Sequence, residues 1–286
     1  MSHKFHIPVL GLGYSIDTPL KVARYGISSV VSVVDDDLTE RMRELHSREN
    51  DEEFIPIHKS SPDARARRIT AYLNLLDKLV NDQFDKLVNE AFRPGSDITR
   101  YFDLLPKSSV IKQGYELMMD YPENESKPIF EAILRGALKK GSIDVNIMAK
   151  VDKMNFAATG EFLGDTNTDA LAALRGFAMS NLESSVILSA GMNPRLYSYL
   201  ETFSDFMPDE QGHFRKKIVL KVSDFRSAFI QAKFLAKKGL WVSEFRIESG
   251  LNCGGHAFAT DGYLLGPILE EFKLRREEML NELCQI

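Results

Sequence analysis

The sequence predicts an α/β fold built on a parallel sheet. Three observations support this prediction: β-branched runs alternate with amphipathic helical segments, the runs lack a clean in-out alternation, and the connections between them are short. Continuous apolar runs are typical of strands that are buried on both faces, as in parallel sheets. The 286 residues are 44% hydrophobic and 27% charged, so the chain is long and apolar enough to bury a substantial core.

The first two strand-helix units precede residue 50. His6 to Gly13 is a short apolar run, after which Thr18-Pro19 begins a helix that ends at Gly26. Ser28 to Val34 is rich in β-branched residues and predicts a second strand, which leads into a charged helix near Leu38 to Glu49.

A helical insertion is predicted between residues 51 and 140. Ser61-Pro62 starts a long helix, and Arg93-Pro94-Gly95 ends it. The apolar residues of this helix fall on one stripe, which we interpret as core packing rather than as contacts to a cofactor. They are Ile69, Tyr72, Leu73, Leu76, Leu79, Val80, Phe84, Leu87 and Val88. Helical segments near 98–105, 110–119 and 128–139 are expected to cover this stripe.

The alternation then resumes and adds four strands. The strands are predicted at 142–150, 184–191, 218–222 and 241–248, and the helices at 169–180, 194–203, 223–239 and 264–283. Residues 1–50 and 141–286 are therefore expected to form a TIM-type (β/α) barrel that is incomplete, with about six of its eight units. The alternative is an open doubly wound sheet, although the first loop, Gly11 to Ile16, lacks the third glycine of a dinucleotide fingerprint.

The amino-acid composition limits the kinds of partner that the protein is expected to bind. The net charge is -5, and no Lys/Arg stripe is interleaved with aromatic residues, which argues against nucleic acid. No apolar run approaches the roughly 20 residues of a membrane span, and the two cysteines lack metal-site spacing. We therefore expect a cytoplasmic protein with a small-molecule substrate, no membrane partner and no metal. The helical insertion is the expected surface for self-association or for a protein partner.

A glycine-rich turn follows the sixth predicted strand and presents a histidine, His256. The turn reads Ser249-Gly250-Leu251-Asn252-Cys253-Gly254-Gly255-His256. Glycines let a planar ligand lie against the main chain, and a histidine near neutrality can exchange protons with it. Because strand ends rich in glycine seldom need a histidine for packing, a functional role for His256 is favoured over a structural one.

Several strand ends together resemble the nitronate monooxygenase family, formerly called 2-nitropropane dioxygenases. The matching segments are Pro8 to Gly13, Ser15 to Pro19, Tyr25 to Val30, Asp144 to Met148, Val186 to Pro194, Lys217 to Ser223, Glu248 to Gly250 and Gly254 to His256. Members of this family are FMN-dependent barrels, and they include flavin-dependent enoyl reductases. In the family the flavin phosphate is held by glycine-rich loops after strands seven and eight. This sequence ends before any such segment, so the phosphate site is expected either to be absent or to lie on residues outside this sequence.

The resemblance implies FMN as the cofactor and a set of residues around it. Gly11, Leu12 and Gly13 would let the backbone pass beneath the flavin ring, Asn146 would hydrogen-bond its pyrimidine edge, and Lys221 would place positive charge near its N1 and O2 atoms. The sixth-strand signature adds the cofactor contacts Glu248, Gly250, Gly254 and Gly255. Structural interpretations remain open for two of them, because Lys221 could pair with an acid at the rim and Asn146 could cap a turn.

The predicted activity is that of an FMN-dependent oxidoreductase, of the monooxygenase kind, on a small acidic-carbon substrate. His256 would act as the base or as the donor to an oxyanion. The alternatives are a flavin-dependent enoyl reductase relative and a non-catalytic interaction scaffold that uses the helical insertion. A further alternative is a lyase or aldolase in which Lys221 forms a Schiff base.

Overall fold

A single parallel sheet of six strands organises the chain. The computed structural model describes residues 3, 6–10, 15–33, 35–120, 126–157, 159–189, 191–248 and 264–286. The strands are β1 (His6–Ile7), β2 (Ser28–Ser32), β3 (Ile143–Met148), β4 (Ser185–Ser189), β5 (Lys217–Val222) and β6 (Val242–Ile247). Their order in the sheet follows their order in the chain. The α/β prediction is confirmed, and this order is compatible with an incomplete barrel. A doubly wound sheet would reverse its order at a switch point, so that alternative is wrong.

The described part of the chain contains ten α-helices. They are α1 (Thr18–Val22), α2 (Asp36–Glu49), α3 (Ala64–Asn89), α4 (Asp97–Asp103), α5 (Val110–Asp120), α6 (Lys127–Gly136), α7 (Asp169–Ala178), α8 (Pro194–Leu200), α9 (Phe225–Ala236) and α10 (Leu265–Cys284). None of them combines the length with the apolar composition that crossing a bilayer requires.

The chain divides into two compact units. The first unit contains Met1–Ser32, Asp37–Pro56 and Ala71–Asp144, and the second contains Val33–Asp36, Ile57–Thr70 and Val145–Ile286. The predicted domain limits at residues 50 and 140 stay a prediction.

The core of the first unit is formed where α4, α5 and α6 cover the end of α3. The ring planes of Phe102 and Tyr115 stack with centroids 4.7 Å apart, and Phe92 lies 6.0 Å from Phe102. Leu87 of α3 and Leu134 of α6 belong to the same buried cluster. Aromatic pairs of this kind stabilise a core beyond the area they bury. The shorter helices therefore do cover this part of the α3 stripe, as expected.

The apolar stripe of α3 is core packing, as predicted. Seven of its nine residues are buried, and Phe84 and Val88 are partly buried against the cluster of the first unit. The buried ones are Ile69, Tyr72, Leu73, Leu76, Leu79, Val80 and Leu87. The Tyr72 hydroxyl also donates to the Ile16 carbonyl at 2.8 Å, which satisfies its polar atom inside the core.

In the second unit, helices cover one face of the sheet. The strand residues on that face are all buried: Val145, Ile147, Val186, Leu188, Ile218, Leu220 and Val222. Asp224 caps α9 by accepting from the Ser227 N–H at 2.7 Å. The Phe272 ring of α10 packs edge-on against Phe225 at 5.3 Å and lies 6.4 Å from Phe245. The opposite face of the same strands carries the polar residues described next.

Candidate functional site

Polar side chains gather on the opposite face of β3 to β6, toward the carboxyl ends of the strands. Residues that pair directly across strands point to the same face, and so do alternate residues along one strand. Asn146 pairs with Ile187, Ile187 with Val219, and Lys221 with Arg246. Asn146, Lys221 and Arg246 therefore share one face, near the carboxyl ends of the strands. This is the edge where ligands bind in parallel α/β folds.

A β-bulge in β6 is what puts Lys221 and Glu248 on the same face. Ile218 pairs with Val242, but the next residue, Val219, pairs with Glu244, so one residue of β6 is skipped. Without this shift, the alternation of β6 would turn Glu248 toward the helices.

Lys221 and Glu248 form an ion pair with 2.6 Å between Nζ and Oε2. The side chain of Lys221 is 31% exposed and that of Glu248 is 26% exposed, so the pair is accessible to solvent or to a ligand. Arg246, the direct neighbour of Lys221, contacts Glu244 with 2.6 Å between Nε and Oε1. The result is a row of alternating charges across β5 and β6. An ammonium has three donors, and the contact with Glu248 uses one.

Asn146 is the most informative group of this face. The residue is 97% buried, with 3% relative exposure. Its main-chain oxygen accepts a hydrogen bond, but its side-chain amide makes none with any residue that the structure describes. A buried amide normally finds partners for its donors and acceptor. Within the described residues, no hydrogen bond supports the interpretation of Asn146 as a turn cap.

Hydrogen bonds join the loops after β3 and β4 at the carboxyl edge of the sheet. The Asn193 amide donates to the Ala149 carbonyl at 2.9 Å and to the Asp152 carboxylate at 3.0 Å, while its oxygen accepts from the Leu196 N–H. Gly191 has φ +97°, and a Cβ there would lie 2.8 Å from the Lys150 Cε. Only glycine fits so close an approach in a left-handed conformation.

The second unit also contains a cluster of four charged side chains. Asp36 accepts from Arg65 at 2.7 Å and from Arg68 at 3.0 Å, and Arg65 also lies 3.4 Å from Asp169. All four side chains are largely buried, with 8% to 18% exposure. Each guanidinium is engaged by a carboxylate, so we interpret this cluster as structural.

Of the predicted site residues, Asn146, Lys221 and Glu248 can be placed, and they share the edge described above. The other seven are Gly11, Leu12, Gly13, Gly250, Gly254, Gly255 and His256, and they lie outside the described residues. Their roles stay predictions.

Sequence reasoning missed Arg246. Only the bounds of the sixth strand, 241–248, are predicted from the sequence, although Glu244, Arg246 and Glu248 alternate along it. That alternation of period two is the signal of a strand with one polar face, and it could have identified Arg246.

Comparison with protein-family models, curated proteins and solved structures finds no match. Within the described ranges, no group of three or more His, Cys, Asp or Glu side chains is arranged to hold a metal ion.

Proposed function

We propose that the carboxyl edge of β3 to β6 binds FMN and that the protein is a TIM-type barrel oxidoreductase of the nitronate monooxygenase kind. The observation that carries this proposal is Asn146, a residue with 3% exposure on the ligand-facing side of the sheet, whose side-chain amide makes no hydrogen bond within the described chain. Its amide nitrogen and oxygen are not buried without a partner, so a ligand at this edge can reach them.

The residues at this edge fit the polar rim of a flavin. The Asn146 amide offers both a donor and an acceptor, which suits the pyrimidine ring with its alternating N–H and C=O groups. Lys221 offers two further N–H donors and a positive charge that would favour an anionic reduced ring. Glu248 holds the Lys221 ammonium in place at 2.6 Å. FMN, when bound, supplies the redox chemistry.

The chain's own contribution to turnover is proton transfer and orientation. His256, in the segment after β6, would take the acidic proton of a small nitroalkane or donate a hydrogen bond to the oxygen of its nitronate. An imidazole suits both roles, because its unperturbed pKa is about 6.5.

Titration of the protein with FMN, followed by quenching of flavin fluorescence, tests the binding site. Lys221→Met should weaken FMN binding at least about tenfold, since one charge-assisted contact contributes about 1.5–3 kcal/mol. Lys217→Met is the matched control, because Lys217 lies on the same strand and the same face at the opposite, amino end. Equal weakening by both variants, or no binding by the wild-type protein, would contradict the proposal.

Turnover of a nitroalkane tests the role of His256. His256→Ala should retain FMN binding and lose activity at least about 100-fold, as expected for removal of a general base. Reduction of an enoyl thioester in place of nitroalkane turnover would instead favour the enoyl reductase alternative. Borohydride trapping of a carbonyl substrate on Lys221 would favour the lyase alternative.

The scaffold alternative is favoured by one feature of the first unit. Helices α5 and α6 expose large apolar side chains, which are more common at interaction surfaces than elsewhere. They are Val110, Leu117, Ile129, Phe130 and Ile133, with exposures between 41% and 73%. Sedimentation of the wild type and of Ile129→Glu tests self-association through these helices. A dimer that this variant dissociates, in a protein that binds no FMN, would favour the scaffold.

A further inference from the structure

A short hairpin rises from the loop between β3 and α7. Phe156 and Phe162 form an antiparallel bridge, and their rings lie 5.7 Å apart. The hairpin has its own main-chain bonds, from Ala157 N–H to the Glu161 carbonyl at 2.8 Å and from Leu163 N–H to the Asn155 carbonyl at 3.1 Å. It is therefore a small self-contained element rather than an irregular loop.

The contacts at the base of this hairpin are polar. The Asn155 amide donates to the Asn167 carbonyl at 2.9 Å and to the Asp169 carboxylate at 2.8 Å. The Asn167 amide in turn donates to the Leu163 carbonyl at 2.6 Å. Asp169 is the first residue of α7, so the base is fixed to the carboxyl edge of the sheet. The hairpin therefore projects from the same edge of the sheet as the candidate site.

The apolar side chains of the hairpin face solvent. Phe156 is 58% exposed, Met154 52%, Leu163 47% and Phe162 40%. An isolated exposed apolar residue is ordinary, but a group of four on one small element marks a surface that binds something. Gly164, at φ +97°, joins the hairpin to the following turn, and a Cβ there would have no neighbour closer than 3.9 Å. The left-handed conformation favours glycine at this junction.

We propose that residues 154–163 form a lid over the ligand at the carboxyl edge, and that Phe156 and Phe162 supply the apolar wall of the closed site. This inference rests on the proposed function, since the occupant is the flavin ring with the substrate beside it. The polar side chains of the sheet face hold the edge of such a ring, whereas its flat face requires apolar cover to exclude water. The hairpin provides the only two aromatic rings of the loop after β3.

A second hairpin in the same unit gives an internal control. Pro208 and Phe214 form its bridge, and Asp209 accepts from the N–H groups of Gln211 at 2.9 Å and His213 at 2.7 Å. It precedes β5 and so lies at the amino edge, away from the candidate site. If FMN made the whole protein less flexible, hydrogen exchange would slow in both hairpins. If the first hairpin closes as a lid, exchange would slow in that hairpin alone.

Hydrogen–deuterium exchange of the full chain with and without FMN tests the lid. FMN should slow exchange at least about tenfold in peptides that cover 154–163 and leave peptides that cover 208–214 unchanged. The double variant Phe156→Ser, Phe162→Ser should release FMN at least about fivefold faster without a change in melting temperature. Met179→Ser, which alters an exposed residue at the end of α7, should release FMN at the wild-type rate.

The outcomes separate the two proposals. FMN binding without protection of 154–163, or with equal protection of both hairpins, would overturn the lid and leave the proposed function standing. A protein that fails to quench FMN fluorescence would overturn both.

Discussion

Two lysines at opposite ends of β5 differ in almost every physical respect. Lys216, directly before the strand, has a fully buried side chain whose Nζ donates to the carbonyls of Ser180 at 2.9 Å and Leu182 at 2.5 Å. The Phe177 ring lies 4.8 Å from the same nitrogen. Lys221, near the carboxyl end, is partly exposed and contacts the carboxylate of Glu248.

This difference separates structure from ligand binding along a single strand. The donors of Lys216 point to main-chain oxygens of the turn between α7 and β4, so the residue ties that turn to β5. Within the described residues, the ammonium of Lys221 contacts only Glu248. In parallel α/β folds, the amino edge generally contributes stability and the carboxyl edge contributes chemistry. Substitutions at the two edges should therefore have opposite effects on stability and on ligand binding.

The largest effect is expected from Lys216→Ala. It removes three packed methylenes and the ammonium and leaves two buried carbonyls without a donor, which should lower the free energy of unfolding by about 3 kcal/mol. Lys216→Met keeps most of the side-chain volume, so it should lower the free energy of unfolding by about half as much. Urea unfolding measures both variants, and Lys217→Ala is the control, because exposed Lys217 should tolerate the change within about 0.5 kcal/mol. A cost for Lys216→Ala no greater than that of the control would contradict the structural role.

The pH dependence of stability should be dominated by Lys216 between pH 8 and pH 10. Burial lowers the pKa of Lys216 to about 8, against the partial compensation of nearby Asp205. The unfolded chain keeps this proton up to about pH 10.4, so unfolding takes up a proton in that range and stability rises with pH. We expect a gain of about 2 kcal/mol from pH 8 to pH 10.

The matched variant for this pH profile is Lys216→Met, which has no proton to release there. Above about pH 10 the trend should reverse, because burial raises the pKa of Tyr197 and of Tyr72, and the unfolded chain then loses protons that the folded chain retains. Urea unfolding at half-unit intervals measures the profile. A wild-type curve parallel to that of Lys216→Met would show that another group is responsible.

At the carboxyl edge, Asn146→Leu should separate stability from binding. The substitution replaces an amide that has no partner in the described chain by a side chain of similar size. Stability should change by less than about 1 kcal/mol, because the Asn146 amide is not a buried group that depends on a hydrogen bond within the described chain. FMN binding should weaken about tenfold. Loss of stability beyond about 1 kcal/mol would instead indicate that the amide serves the fold.

The sequence was enough to predict where the strands and helices lie, but it was not enough to predict the register between neighbouring strands. Composition and caps located every strand and helix of the second unit to within a few residues, as at α8, where Asn193 and Pro194 begin the helix. The bulge in β6 has no signature of its own, yet it decides which face Glu248 occupies. The hairpin was overlooked although Thr159-Gly160 lies between two phenylalanines, which is a turn signal.

The burial of Lys216 was out of reach for a different reason. Its acceptors lie more than 30 residues away in the chain, at Ser180 and Leu182. A lysine before a strand looks like a surface residue until the fold brings those carbonyls to it. Local patterns specify local structure, whereas both lysine environments depend on long-range contacts.

The smallest effect on stability is expected from Lys221→Gln, and this makes it the sharpest test of the comparison. The pair with Glu248 is about a third exposed, so its removal should cost less than about 1 kcal/mol in urea unfolding. Added salt should narrow the difference further, because exposed charges are screened. If Lys221 instead resembles Lys216 in its contribution, the variant will unfold at a markedly lower urea concentration, and the distinction between the two edges of the sheet fails on the strand that carries both lysines.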